Sequence, residues 1–495
     1  MSTIDAIEIE GSIQSVAKGS NRKDKGGRSS SSKRGEECQR CSTSPKSSEL
    51  ISLQEYESSQ VTLLYFYLLG QNPTLTPDAL LCRSCLEEGE RELQRMQIVK
   101  RRGEPHYVDP VLGFSPILST PERVNASPHY TGAGVTIAFV DSGFAPHPDL
   151  ILPVNRVLAV YDAVKGREVR DFERDFSEEP PISAWHGTMA ATVAAGSGHL
   201  SDGYYRGIAP DARLVFVKAM TPEHHIRTPQ VKRGLEWLLE NHKKYNVRVI
   251  NLSLGVDETT RSMRHPVIAL VEELTRQGVV VVAASGNNPS RPLVPPGSAP
   301  SAITVGGYND HNSGDWKSHE FWHSSYGKTP SGARKPELLG PAIWVAAPIL
   351  LRTGVKGEAE ALFYMAGAKD DALMRSIPVL ARETGITKEL LSAKTPLRAR
   401  SLVLERIRVE KQINTNYKHV DGTSFAAPIL SSVVAQMLEA NPALTPAEVK
   451  NIMQRSAEPI KGVAPEMQGF GLLRADKSVE VVRSKLVKRK PRNPR

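Results

Sequence analysis

The chain has 495 residues, a length that suits roughly three domains or one large enzyme domain with appendages. Its 40% apolar content and 37 glycines fall in the globular range and exclude a mainly disordered chain. The net charge of +9 is concentrated at the ends: residues 17–35 hold seven basic side chains against Asp24, and residues 483–495 hold seven with no acid. The rest is slightly acidic, which argues against a folded basic face.

In chain order, residues 1–36 are rich in Ser, Gly, Lys and Arg, and such a segment buries too little apolar surface to offset the entropy of ordering; a disordered basic tail is expected. All four cysteines follow, in Cys38-Gln-Arg-Cys41 and Cys82-Arg-Ser-Cys85. Two C-x2-C pairs can complete a tetrahedral thiolate shell, so residues 37–95 read as a four-cysteine module with one structural zinc, structural disulfides and unliganded or redox thiols being the other readings. Helices are expected within 60–70 and 77–95, filling a gap longer than that of a compact zinc ribbon. The longest apolar run, Val61 to Leu69, is about half of the ~18–20 residues that a membrane helix needs, and the first 30 residues lack an apolar secretory stretch. Together with the cysteine usage, this gives a cytoplasmic protein without a membrane partner as the expectation.

After a linker at 96–120, residues 121–480 alternate apolar strands with amphipathic helices. Gly134–Val140, Leu214–Ala219, Val247–Leu254, Val279–Ser285 and Ala302–Gly306 read as buried strands, and Gln230–Lys244 and Pro266–Gln277 as helices. This pattern predicts an α/β fold, a parallel sheet covered by helices on both faces. In such sheets ligands bind beyond the carboxyl ends of the strands. Asp141 ends the first strand. His186 opens a helix of small residues in Trp185-His-Gly-Thr188. Asn287 follows the fourth strand, and Ser424 opens a helix in Asp421-Gly-Thr-Ser424. Serine needs a neighbouring base, a histidine can be that base and then the acid, and a buried aspartate can hold the imidazole in the right tautomer. His147 reads as a surface residue and Asp421 as a loop acid.

The order Asp, His, Ser, with Gly207-Ile-Ala-Pro-Asp-Ala212, Ile250-Asn-Leu-Ser-Leu-Gly255 and Gly469-Phe-Gly-Leu472, resembles the subtilase family of serine endopeptidases over roughly Thr131 to Asp476. The resemblance implies a subtilisin-like fold and hydrolysis of protein or peptide substrates through an acyl-enzyme. In it Asp141, His186 and Ser424 form the triad, and the Asn287 amide donates to the oxyanion, an interaction typically worth ~3–4 kcal/mol of barrier. It also implies that Ser253, Leu254, Gly255, Ala284, Ser285 and Gly286 line the cleft and pair with an extended substrate. The loop Asn288–Pro296 is then expected to floor the main specificity pocket; it contains Arg291 and no acid, which argues against basic residues before the cut. Calcium is compatible with the family, but no ligand set can be located.

The sequence departs from the family in two places. Met189 replaces a second histidine, and residues 357–410 read as a helical insertion, with Leu380–Leu391 its clearest helix and Gly385 a point where it can break. No inhibitory propeptide pattern is apparent, so the cysteine module is expected to restrain or target the protease, through a regulatory protein partner or by itself. Weak nucleic-acid contact through the basic tails is the further partner expectation. The alternative reading is a nucleic-acid-associated protein using the module and tails, with a dormant or partner-activated protease domain.

Overall fold

The computed structural model describes residues 38–42, 50–52, 68, 79–98, 117–170, 172, 180–256 and 259–489. The tail at 1–36, nearly all of the 60–70 helix and most of the 96–120 linker lie outside these residues, as does the basic segment after Arg489. The described chain forms two compact units, one of 118–356 with 414–495, the other of 357–413 with the N-terminal residues up to Ile117.

In the second unit, β1 (Leu50–Ser52) pairs antiparallel with β2 (Leu80–Cys82), and α1 (Arg83–Ile98) follows directly. The expected helix over 77–95 is thus corrected at its start: residues 80–82 are committed to the ladder with Leu50–Ser52, and the helix begins only at Arg83.

The first unit is built on a nine-stranded sheet. Its parallel strands are β3 (Thr136–Asp141), β4 (Val157–Asp162), β5 (Arg213–Lys218), β6 (Val247–Leu252), β7 (Val280–Ala284), β8 (Ile303–Asn309) and β9 (Leu338–Pro341). They lie in the order β4-β5-β3-β6-β7-β8-β9, with two-residue antiparallel strands at Arg167–Glu168 and Glu320–Phe321. Central strands rich in Val and Ile are buried on both faces; every residue of β3 and β7 is buried, as a sheet covered on both sides requires. Helices α2 (Ala184–Ala195), α3 (Thr228–Asn241) and α4 (Pro266–Arg276) fall between these strands in the chain.

The insertion consists of α5 (Gly354–Gly367), α6 (Asp370–Leu380), α7 (Thr387–Leu391) and α8 (Pro396–Val409). Leu362, Met365, Leu373, Ile377, Leu390, Val403 and Ile407 form its core, braced by Arg406 on Glu358 at 2.7 Å and Arg400 on Asp370 at 2.7 Å. The stretch Leu380–Leu391 is not one helix: α6 ends at Leu380, and Gly385 adopts φ +65° before α7 begins. The glycine permits that left-handed turn.

In the first unit again, α9 (Thr423–Ala440) is buried on nearly every face, including Phe425, Ile429, Leu430, Val433 and Met437, as expected of a helix threaded through a core. It packs against α2, β6, β7, β8 and β9. The capping box at Thr445 and Glu448 opens α10 (Pro446–Ser456) as its sequence predicts.

Candidate active site

Asp141, the last residue of β3, is fully buried. Its Oδ1 accepts from its neighbour's N–H, Ser142, at 2.6 Å and lies 2.7 Å from His186 Nδ1. A carboxylate can only accept here, so Nδ1 carries the proton and donates. The His-Gly-Thr sequence explains this proximity. A Cβ on Gly187 would lie 2.3 Å from the Gly143 carbonyl oxygen and 3.0 Å from Asp141 Cβ, so only glycine allows α2 this close to the end of β3. Thr188 Oγ1 accepts from Ala145 N at 2.9 Å and donates to the Ala184 carbonyl at 2.6 Å, tying the loop after β3 to the helix. Met189, in place of a second histidine, is buried in the apolar core.

Ser424 is the second residue of α9. Its aromatic neighbour Phe425 has its ring centroid 5.5 Å from that of His186. Asn287 follows β7, and its Oδ1 accepts from both Thr423 N and Thr423 Oγ1 at 2.9 Å. This pair of donors fixes the amide orientation and assigns the other end, Nδ2, as the donor face. Gly422, at φ +129°, carries the chain past it: a Cβ there would stand 3.4 Å from Asn287 Nδ2.

The expected cleft residues lie just beyond or at the ends of β6 and β7. Ser253, Leu254, Ala284 and Ser285 are buried, while Gly255 and Gly286 are partly exposed. Ser253 Oγ donates to the Ser424 carbonyl at 2.7 Å and accepts from Asn251 Nδ2 at 2.9 Å, whose Oδ1 in turn accepts from Ser431 Oγ at 3.1 Å. Asn251 and Thr423 hydrogen-bond Ser253 and Asn287, contacts that sequence reasoning missed although both residues stand inside quoted motifs. Asp421 is a loop acid as expected, accepting from Trp344 N at 3.0 Å.

His147 corrects its expectation as a surface residue: it is fully buried, its Nδ1 accepts from Asp149 N at 3.2 Å as the cap of a short helix, and burial lowers its pKa. Asp149 beside it accepts from the Tyr417 hydroxyl at 2.6 Å, so this cluster serves structure.

The four cysteines do gather. Their Sγ atoms all lie within 4.8 Å of one another, Cys41 and Cys82 at 3.9 Å, and Cys82 N donates to Cys38 Sγ at 3.3 Å. None is in a disulfide. Burial pushes the Cys85 and Cys82 thiols upward. The arrangement is compatible with a metal site.

The profile of the subtilase family matches residues 132–471. The serine protease AprX of Bacillus subtilis (strain 168) is 28% identical over 359 residues, covering 70% of this chain and 67% of AprX. Subtilisin BL of Lederbergia lenta is 30% identical over 185 residues, 37% of this chain and 58% of that protein. Among solved structures, the Clostridium perfringens CspB protease superposes with a TM-score of 0.51 at 15% identity, covering 74% of this chain and 97% of that one. The S41 psychrophilic protease gives 0.50 at 19% identity over 73% and 98%; at such identities these two structures speak to the fold. The chain belongs to the subtilase family and is a subtilisin-like serine protease.

Proposed function

We propose that the protein is a serine endopeptidase in which Ser424 attacks the scissile carbonyl, His186 takes its proton through Nε2 and returns it to the leaving amine, and Asp141 stabilises the imidazolium. Asn287 Nδ2 donates to the oxyanion, aided by the positive end of α9. Water then deacylates the enzyme by the same proton path. The observation that carries this reading is the 2.7 Å Asp141–His186 hydrogen bond, on a scaffold that also puts an oriented amide beside the first turn of the Ser424 helix. Rapid mixing with a peptide p-nitrophenyl ester tests it: a burst of about one nitrophenol per chain supports an acyl-enzyme, and turnover that continues at the wild-type rate in Ser424→Ala contradicts one.

The module at 37–95 is proposed to hold one structural zinc through Cys38, Cys41, Cys82 and Cys85. Tetrahedral zinc with bonds of ~2.3 Å needs sulfur–sulfur edges of roughly 3.8 Å, and the Cys41–Cys82 separation of 3.9 Å fits. One zinc per purified chain, lost in Cys38→Ser, is the expected result; a metal-free native protein contradicts it. The cytoplasmic location rests on the same thiols and is tested by cell fractionation. The restraining or targeting role of the module is tested by deleting residues 1–100, which should raise activity or abolish localisation. The proposed domain limits, 37–95 for the module and 121–480 for the peptidase with its 357–410 insertion, are tested by limited proteolysis.

A further inference from the structure

Resting on the active-site reading above, we propose that Val294 narrows the pocket for the residue before the scissile bond, making the enzyme selective for small, uncharged side chains there. A substrate whose carbonyl sits at Asn287 Nδ2 and the start of α9 must lie along the ends of β6 and β7, at 253–255 and 284–286. Its side chain then enters the gap between those two segments.

Both walls of that gap have a glycine, Gly255 on one side and Gly286 on the other, and both are partly exposed. The segment 294–298 is held close to both of these stretches. Val256 N donates to the Pro295 carbonyl at 2.9 Å, fastening this segment to the chain after β6. A Cβ on Gly297 would lie 2.7 Å from the Ala284 carbonyl oxygen, so the segment lies tight under the end of β7. Thr304 Oγ1 donates to the Gly297 carbonyl at 2.8 Å and holds it there.

In this segment Val294 is partly exposed, and its Cγ2 stands 2.8 Å from where a Cβ on Gly255 would be. The space that the bare glycine leaves is therefore occupied by a branched side chain rather than left for substrate. On this placement a methyl or hydroxymethyl group is expected to be accepted above Val294, and an aromatic ring is expected to meet its isopropyl group.

Among the described residues, the loop 288–296 offers no acid as a counter-ion for a basic side chain. Arg291 is the charged residue of the loop and is exposed. Behind Thr304 the nearest acid by hydrogen bonding is Glu337, whose carboxylate is already engaged by Lys335 at 2.7 Å, Lys450 at 2.6 Å and Thr304 N at 2.8 Å.

The test uses the full chain and succinyl-Ala-Ala-Pro-X-p-nitroanilides with X as Ala, Phe and Lys, with active sites counted by a fluorophosphonate. For the wild type, kcat/KM for Ala should exceed that for Phe by about tenfold or more, with Lys poorest. Val294→Gly should raise the Phe-to-Ala ratio at least tenfold, in line with the ~10–200-fold that a methylene-sized change in a pocket typically commands. Val294→Ala should move it the same way by less, and it decides the matter if the glycine variant does not fold. A wild type that prefers Phe or Lys, or variants that label normally and leave the ratio unchanged, would overturn the assignment of Val294 while leaving the active site standing. A wild type that neither labels nor cleaves any of the three overturns both.

Discussion

The hydroxyl of Ser253 donates to the carbonyl of Ser424 at 2.7 Å, and that carbonyl is the one Pro428, four residues on, leaves without a helical N–H donor. A proline inside a helix removes one hydrogen bond of this kind. Here a side chain from just past the end of β6 replaces it, and the replacement couples the backbone of the proposed nucleophile to the segment that follows β6.

Ser253→Ala should therefore reduce both stability and turnover. Leaving a buried carbonyl unsatisfied typically costs ~1–3 kcal/mol; this one is only part-buried, so denaturant unfolding should show a loss of ~1 kcal/mol, the low end of that range. The kcat should fall by more than KM rises, because the first turn of α9 is loosened. Unchanged kcat in a normally folded variant would show that the link has no part in positioning Ser424.

The orientation of Asn287 makes a graded prediction. Asn287→Ala should lower kcat by about 10²–10³-fold with a much smaller change in KM. Thr423→Val removes one of the two donors to Asn287 Oδ1 while the backbone N–H remains, so its loss should be clearly smaller. Steady-state kinetics on one p-nitroanilide checks both; equal losses would contradict the division of labour.

Much of this architecture was legible beforehand because strands buried on both faces need continuous apolar runs. Val279-Val-Val-Val-Ala-Ala284 announces such a strand, and the polar residue that ends it draws attention at once. Gly385 gave local warning of a break that a purely apolar count would miss. His147 misled because nothing nearby in sequence reveals the cover that long-range packing supplies. Asn251 and Thr423 escaped for a related reason: their roles depend on partners far along the chain, Ser431 and Asn287. The strand at 80–82 depends likewise on pairing with residues thirty positions away.

Arg123 and Asp310 form an ion pair with both side chains fully buried, at 2.6 Å. Arg123 also donates to the Trp344 carbonyl at 2.8 Å, so one guanidinium joins three distant segments. Asp310→Ala strands this cation and should cost about 3–5 kcal/mol, read from chemical denaturation. A loss below about 1 kcal/mol would mean that the surrounding carbonyls suffice.

Lys335 gives a pH signature. Burial lowers it from 10.5 to about 8, with Glu337 opposing and Lys450 reinforcing the effect. Below pH 8 the folded and unfolded chains both hold this proton. Between about 8 and 10.5 the unfolded chain still holds it while the folded chain has released it, so stability from this group rises with pH across that window. The unfolding free energy of the wild type relative to Lys335→Met should accordingly increase from pH 8 to pH 10.5. A flat or falling difference would contradict the displaced lysine.

The central claim is that Ser424 is an activated nucleophile served by His186 and Asp141. Labelling of the full chain with a fluorophosphonate probe tests it most directly. The account predicts stoichiometric labelling of the wild type, none in Ser424→Ala, and strongly slowed labelling in His186→Ala. Labelling that persists in Ser424→Ala, or a folded wild type that does not react at all, would contradict it.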